Sequence, residues 1–206
     1  MKVVKQSAEI MGCGGMPIDG KAMLKHIELC GRVCYKSEDK ITDESAEKFV
    51  RRIIKSGHES VLEHASITVR FVCDRGASHE IVRHRIASYS QESTRYNNYT
   101  HDKFGGEISV IEPVGGGDEL ALLKSSCCYA ETIYQYMIGA GASPQMARAV
   151  LPTCLKTELI MTANLREWRH FLRLRTSEAA HPQIRALAIE LRDKLRAAVP
   201  VVFEDI

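Results

Sequence analysis

Residues 83–95, RHRIASYSQESTR, gather Arg83, Arg85, Arg95 and His84 beside the hydroxyls of Ser88, Ser90, Ser93 and Thr94 and the polar side chains Gln91 and Glu92. The planar fork of arginine matches phosphate oxygens two at a time, and hydroxyls with loop amides complete an anion cradle. The segment therefore reads as a phosphate site, with a solvated basic loop as the plain alternative. Ser93 has the hydroxyl of a nucleophile, but the sequence supplies no evident general base for it.

A second group, NLREWRHFLRLR at 164–175, gains meaning on a helix at about 100° per residue. Trp168, Phe171 and Leu172 define an apolar arc that also holds Asn164 and Arg175, while Arg166, His170 and Arg173 face the other way with Arg169 beside them. The spacing makes Arg166, Arg169 and Arg173 a solvated face. Arg175 differs, because a guanidinium in an apolar arc is costly without an anion or a ligand. If the helix frays there, Arg175 reaches water instead.

A third group is GHESVLEH, with His58, Glu59, Glu63 and His64. Histidines six apart do not share a helix face as a zinc-binding HExxH does, so no metal is expected. The segment is either a satisfied polar turn or a loop that touches a cofactor. No GxGxxG, GxxxxGK[ST] or GxSxG pattern occurs, so a nucleotide cofactor would need a different mode of binding.

These side chains need elements to hold them. Asp19 caps a predicted helix with Met23, Ile27, Cys30 and Cys34 on one face, and Thr42 opens a second with Ala46, Phe49, Val50, Ile53 and Ile54, stopped at Gly57. Alternation over 66–73 predicts a half-buried strand. A short helix follows over 76–86, then a loop through SYSQESTRYNNY. A strand at 107–112 closes at Pro113 and the Gly115–Gly117 turn. Asp118 starts the longest predicted helix, with Leu123, Cys127, Ala130, Tyr134 and Met137 on its stripe and Gly139 and Gly141 at its end. Ser143-Pro144 opens a short helix that stops near Pro152. A strand at 154–163 feeds a helix from Asn164, and the last helix carries Ile184, Leu187, Ala188, Leu191 and Leu195. Few strands among helix pairs predict an α+β fold: a small, mostly antiparallel sheet flanked by helices in a single domain over residues 1–206.

Composition narrows the function. The chain has 206 residues, 45% hydrophobic and 26% charged, with a net charge of +2. A dedicated nucleic-acid binder carries a larger basic excess, so any anion site is local. No apolar run is long enough to span a membrane, and the N-terminal residues lack the apolar core of a secretory signal, so a cytoplasmic protein is expected. The seven cysteines are odd in number and form no CxxC, and they read as small structural thiols rather than disulfides or ligands.

Arg83-His84-Arg85, seven residues, then Ser93 is an RHRx7S motif, and the sequence resembles the flavin-dependent thymidylate synthases. VCYKS at 33–37, SGHES at 56–60, ARAVLP at 147–152 and N-x-R…FLxLR at 164–175 agree in order and span almost the whole chain. The resemblance implies a methyltransferase of dTMP biosynthesis. Reduced FAD, regenerated by NADPH, would mediate transfer of the one-carbon unit of methylenetetrahydrofolate to dUMP, giving dTMP and tetrahydrofolate. It further implies a homotetramer with FAD between subunits and shared active sites.

Carried over by position, dUMP is expected to meet Glu80, Arg83, Gln91, Glu92, Ser93, Thr94, Arg95 and Arg148, with Arg175 as the catalytic cation at the uracil. FAD is expected to meet His58, Ser60, Arg83, His84, Arg85, Gln91, Asn164, Arg166 and His170. Gln91 stands where some members carry Glu, and His170 where some carry Asn. Glu92 replaces a commonly apolar residue and brings a negative charge beside the implied phosphate. A nucleic-acid-binding module using the same arginines, or an inactive flavin-binding relative, would be the competing readings.

Overall fold

In the computed structural model, residues 1–115, 117 and 119–206 are described, with Glu119 by its backbone only. In chain order the elements are β1 (Lys2–Val4), β2 (Ser7–Gly12), α1 (Gly20–Val33), α2 (Ser45–Lys55), β3 (Ser66–Asp74), α3 (Arg75–Ile81) and β4 (Ala87–Gln91). They continue as β5 (Ser109–Ile111), α4 (Glu119–Gly139), α5 (Pro144–Ala147), β6 (Lys156–Asn164), α6 (Leu165–Arg175), α7 (Pro182–Ala198) and α8 (Pro200–Phe203). An antiparallel sheet runs in the order β2-β3-β6-β4, and β1 pairs with β5 in parallel. This is the expected α+β class.

The chain separates into two compact units. The first comprises 1–7, 71–83 and 90–159, and the second 8–70, 84–89 and 160–206. In the first, α4 and α5 enclose a core of Tyr99, Ile108, Val110, Cys127, Tyr134, Ala147 and Leu155. Cys127 Sγ lies 3.4 Å from Cys154 Sγ, and both are free thiols.

In the second unit, α1 packs on α2 and α6 on α7. Ile184, Leu187, Ala188, Leu191 and Leu195, the whole predicted stripe of α7, are buried. Asp19 caps α1 through a bond from the Ala22 amide. Gly31 on α1 faces the Phe49 ring of α2, where a methyl group in its place would stand 2.6 Å from Phe49 Cζ. Phe49 also carries the guanidinium groups of Arg32 and Arg52 over its ring, at 4.8 and 5.5 Å.

Four expectations change. The stretch called loop contains β4, whose residues alternate half-buried and exposed, so the polar Ser88 and Ser90 occupy the outward positions of a real strand. α2 starts at Ser45 rather than Thr42, because the Ser45 hydroxyl bonds the Thr42 amide and carbonyl and makes a turn ahead of the helix. The inner face of α1 is Met23, Leu24, Ile27, Glu28, Gly31 and Arg32. Cys34 is therefore exposed and Cys30 only half-buried, since the Glu28–Arg32 ion pair takes the inward position. Finally, Arg169 is not on a solvated face but fully buried. The predicted start of the longest helix at Asp118 lies outside the described residues.

Candidate active site

In the first unit, the loop after β4 carries the phosphate-site candidates. Ser93 Oγ accepts the Arg95 amide at 3.3 Å, a local turn that uses one lone pair and leaves the O–H able to donate. Buried Thr94 accepts from Arg148 Nη1 at 3.4 Å, and Arg95 Nε donates to Gln145 Oε1 at 2.7 Å. Arg148 reaches this loop because α5, opened by Pro144, ends at Ala147. Ser93, Thr94, Arg95 and Arg148 thus converge, joined by Gln145, which sequence reasoning missed although it lies three residues before Arg148. Both guanidinium groups rest on neutral oxygens. Their charge stays available to an anion.

Glu92 is bonded elsewhere in this unit. Its carboxylate accepts from Tyr99 Oη at 3.0 Å and Lys156 Nζ at 3.2 Å, while Lys156 also meets Glu158. Burial, then the Glu92 carboxylate, pushes the Tyr99 hydroxyl far above its ordinary pKa, so it stays a donor. The added negative charge is spent inside the unit. Gln91 donates its amide hydrogens to Ser78 Oγ at 3.0 Å and Thr157 Oγ1 at 3.3 Å. Glu80 is half-buried at the end of α3, and Arg83 is exposed.

In the second unit, α6 organises the rest. Asn164 caps it by accepting the Glu167 amide at 2.8 Å, and Trp168 anchors it through Nε1 on the Ile67 carbonyl at 3.0 Å. Asn164, Arg166 and His170 line one cavity of about 430 Å³ with Glu59, Glu63, Ile86, Glu167 and Arg173. Arg166 Nη1 holds Glu63 at 2.6 Å. His58 and Ser60 line another cavity, of about 670 Å³, with Ser37, Tyr35, Lys40, Arg52 and the apolar Phe49 and Val61. Tyr35 and Ser37 were missed as site residues. Their signal was the VCYKS segment, where Lys36 adopts a left-handed φ of 45° just before Ser37. Arg85 is exposed.

Arg169 is the buried hub of this unit. Its guanidinium binds Glu59 Oε1, both Asp205 oxygens and the Val202 carbonyl. Burial opposes the charge on Arg169, yet Asp205 and Glu59 outweigh it and raise its pKa. Glu59 is pushed up by burial, but its bonds to Arg173 and Arg169 hold it below its ordinary value. Bonding to Arg169 likewise lowers Asp205. The two carboxylates of the GHESVLEH segment are therefore claimed by arginines of α6.

Arg175, half-buried at the end of α6, donates from Nε to His84 Nε2 at 3.1 Å. His84 is buried; burial first, then the Arg175 and His170 charges, push its pKa down to about 4. His84, Glu167 and His170 bring possible metal-ligand atoms within 4.8 Å of one another, but Arg175 occupies the second nitrogen of His84 with a positive charge, which opposes a cation.

The model of the thymidylate synthase complementing protein family matches residues 20–201. The chain belongs to the flavin-dependent thymidylate synthase family. This member is 37% identical over 202 residues to a flavin-dependent thymidylate synthase of Geobacter sulfurreducens, covering 89% of this chain and 85% of that protein. It is 39% identical to one of Mycolicibacterium vanbaalenii, covering 91% and 80%. A UMP/dUMP methylase, PolB from Streptomyces cacaoi, solved with 5-Br dUMP, shares the fold with a TM-score of 0.79 at 22% identity, over 99% of this chain and 96% of that one. The family thus agrees with the resemblance carried by RHRx7S. Among the described residues, no helix of this synthase-family chain is long and apolar enough to cross a membrane.

Proposed function

We propose that this chain makes dTMP from dUMP, with methylenetetrahydrofolate as the one-carbon donor, FAD as cofactor and NADPH as reductant. The observation that carries this reading is the pair Arg95 and Arg148, two cations held on the neutral oxygens of Gln145 and Thr94. A dianionic phosphate is the ligand such a pair suits, and Ser93, Thr94 and the loop amides complement it.

In this reading Arg95, Arg148, Ser93 and Thr94 hold the phosphate, with Glu80, Arg83, Gln91 and Glu92 around the nucleotide. Arg175 meets the uracil, where a fixed cation favours ionisation at N3. His58, Ser60, Arg83, His84, Arg85, Gln91, Asn164, Arg166 and His170 would hold FAD. The cavity carrying His58 and Ser60 fits such a group: Lys40 and Arg52 suit a pyrophosphate, and Phe49 and Val61 suit a flat ring. The flavin, when bound, supplies the hydride that completes the methyl group.

Residues 1–206 act as one synthase domain, a reading supported by a family match that runs through both units. It works as a cytoplasmic homotetramer whose sites are completed across chains. Leu122, Tyr129 and Tyr136, seven residues apart on α4 and 70–76% exposed, supply an apolar stripe for such an interface. Neither a nucleic acid nor a membrane is among its partners.

Visible absorption with added FAD, before and after dUMP, tests this reading together with dUMP-dependent tritium release. Flavin bands perturbed by dUMP and release of tritium are expected. A chain that stays colourless, or that binds oligonucleotides with steep salt dependence instead, would overturn it.

A further inference from the structure

Glu167 is a buried carboxylate for which the reading above has no use. It stands third in α6 after the Asn164 cap, where a glutamate ordinarily reaches back to the cap's own amide. Here its Oε1 lies 3.2 Å from His84 Nδ1 instead. The other ring nitrogen, Nε2, faces Arg175 Nε at 3.1 Å. Because a guanidinium only donates, His84 Nε2 has to accept, so the imidazole is neutral and its proton sits on Nδ1. That proton has Glu167 as its acceptor.

The ring has little freedom otherwise. Its own carbonyl takes the Tyr89 hydroxyl at 2.6 Å, and the Phe171 ring packs against it at 4.8 Å between centroids. His170 lies 5.5 Å away, edge on. The depressed basicity of His84, caused first by burial and then by Arg175 and His170, agrees with a neutral ring.

We propose that Glu167 is a positioning residue: through the His84 imidazole it fixes the proton on Nδ1 and thereby holds the Arg175 guanidinium in one orientation. Its effect on turnover rests on Arg175 being the cation that meets the pyrimidine. With both ring nitrogens engaged inside the chain, His84 has no N–H left for the flavin. Any contact it makes there is through its ring face or backbone.

Nitrogen NMR of the full chain, labelled at histidine and assigned with H84Q, tests the geometry without turnover. The wild-type ring is expected as the neutral Nδ1–H form from pH 6 to 8, with and without FAD. E167Q keeps that form, since the amide oxygen still accepts, whereas E167M releases the ring toward the Nε2–H form. A wild-type ring protonated on Nε2, or an E167M spectrum with the ring unchanged, overturns the proposal.

In the FAD-loaded enzyme, E167M is expected to lower kcat roughly tenfold, the scale of one net hydrogen bond, with the KM for dUMP nearly constant. E167Q restores most of that loss. In an R175K background E167M should cost nothing further; an equal loss in both backgrounds would make Glu167 merely structural and overturn the relay. A wild-type chain that makes no dTMP would overturn the synthase reading instead, and the NMR would still decide the ring.

Discussion

Two sets of arginines in this molecule meet opposite fates. In the first unit, Arg95 and Arg148 end on the neutral oxygens of Gln145 and Thr94. In the second, Arg166, Arg169 and Arg173 end on Glu63, Glu59 and Asp205. The same side chain is thus either available to a ligand or consumed by the fold, and the partner decides which. Arg175 differs from both sets in donating to an imidazole, the buried His84.

The contrast can be broken most forcefully at Arg169. Arg169→Met leaves Glu59 and Asp205 with only the exposed Arg173 between them, so a loss of about 3 kcal/mol is expected, seen as a fall in Tm of roughly 10 °C. Unchanged melting would mean the hub is decorative. Next comes Arg175→Ala, which should retain FAD and lower dTMP formation by about 10²–10³-fold, as loss of a charge-stabilising donor does; normal turnover would remove Arg175 from the chemistry.

Arg148→Ala should raise the KM for dUMP by roughly 10–100-fold, the range for one charge-assisted bond, and leave Tm almost unmoved. A stability loss with intact KM would place Arg148 among the consumed arginines.

Acid titration sharpens the comparison further. His84 has a folded pKa of about 4 against an ordinary 6.5, so the unfolded chain takes up the proton first. The stability from its neutral state is complete above pH 6.5 and is lost as the pH falls through 4, by about 3 kcal/mol. H84Q should flatten that part of the pH–Tm curve, and an unaltered slope would be the failing result. The smallest effect is expected at Glu92, already spent on Tyr99 and Lys156. E92Q should change the KM for dUMP by less than about threefold, and a large gain in affinity would mean that its charge reaches the phosphate.

How legible each feature was depended on how far apart its parts lie in the chain. β3 and β6 alternate buried and half-buried residues along their full length, and the α7 stripe repeats at helical spacing, so both could be read locally. β4 could not, because its outward positions are serines and its inward ones only half-buried. A helical wheel put Arg169 beside the polar arc but carries no knowledge of Glu59 or Asp205, which lie 110 and 36 residues away. The RHRx7S segment marked the loop in which Arg95 meets Gln145, yet Gln145 and Glu167 become visible only when α5 and α6 are folded against their partners.

The contact between Gly31 and Phe49 makes the larger cavity sensitive to a single carbon atom. A side chain at 31 would push the ring, and the ring supports both Arg32 and Arg52 on its face. Wall and charge would shift as one piece. The breadth of the groove and the placement of its cations are therefore a single inherited quantity, which one methyl group at position 31 would reset, far in sequence from the loop that holds Arg95.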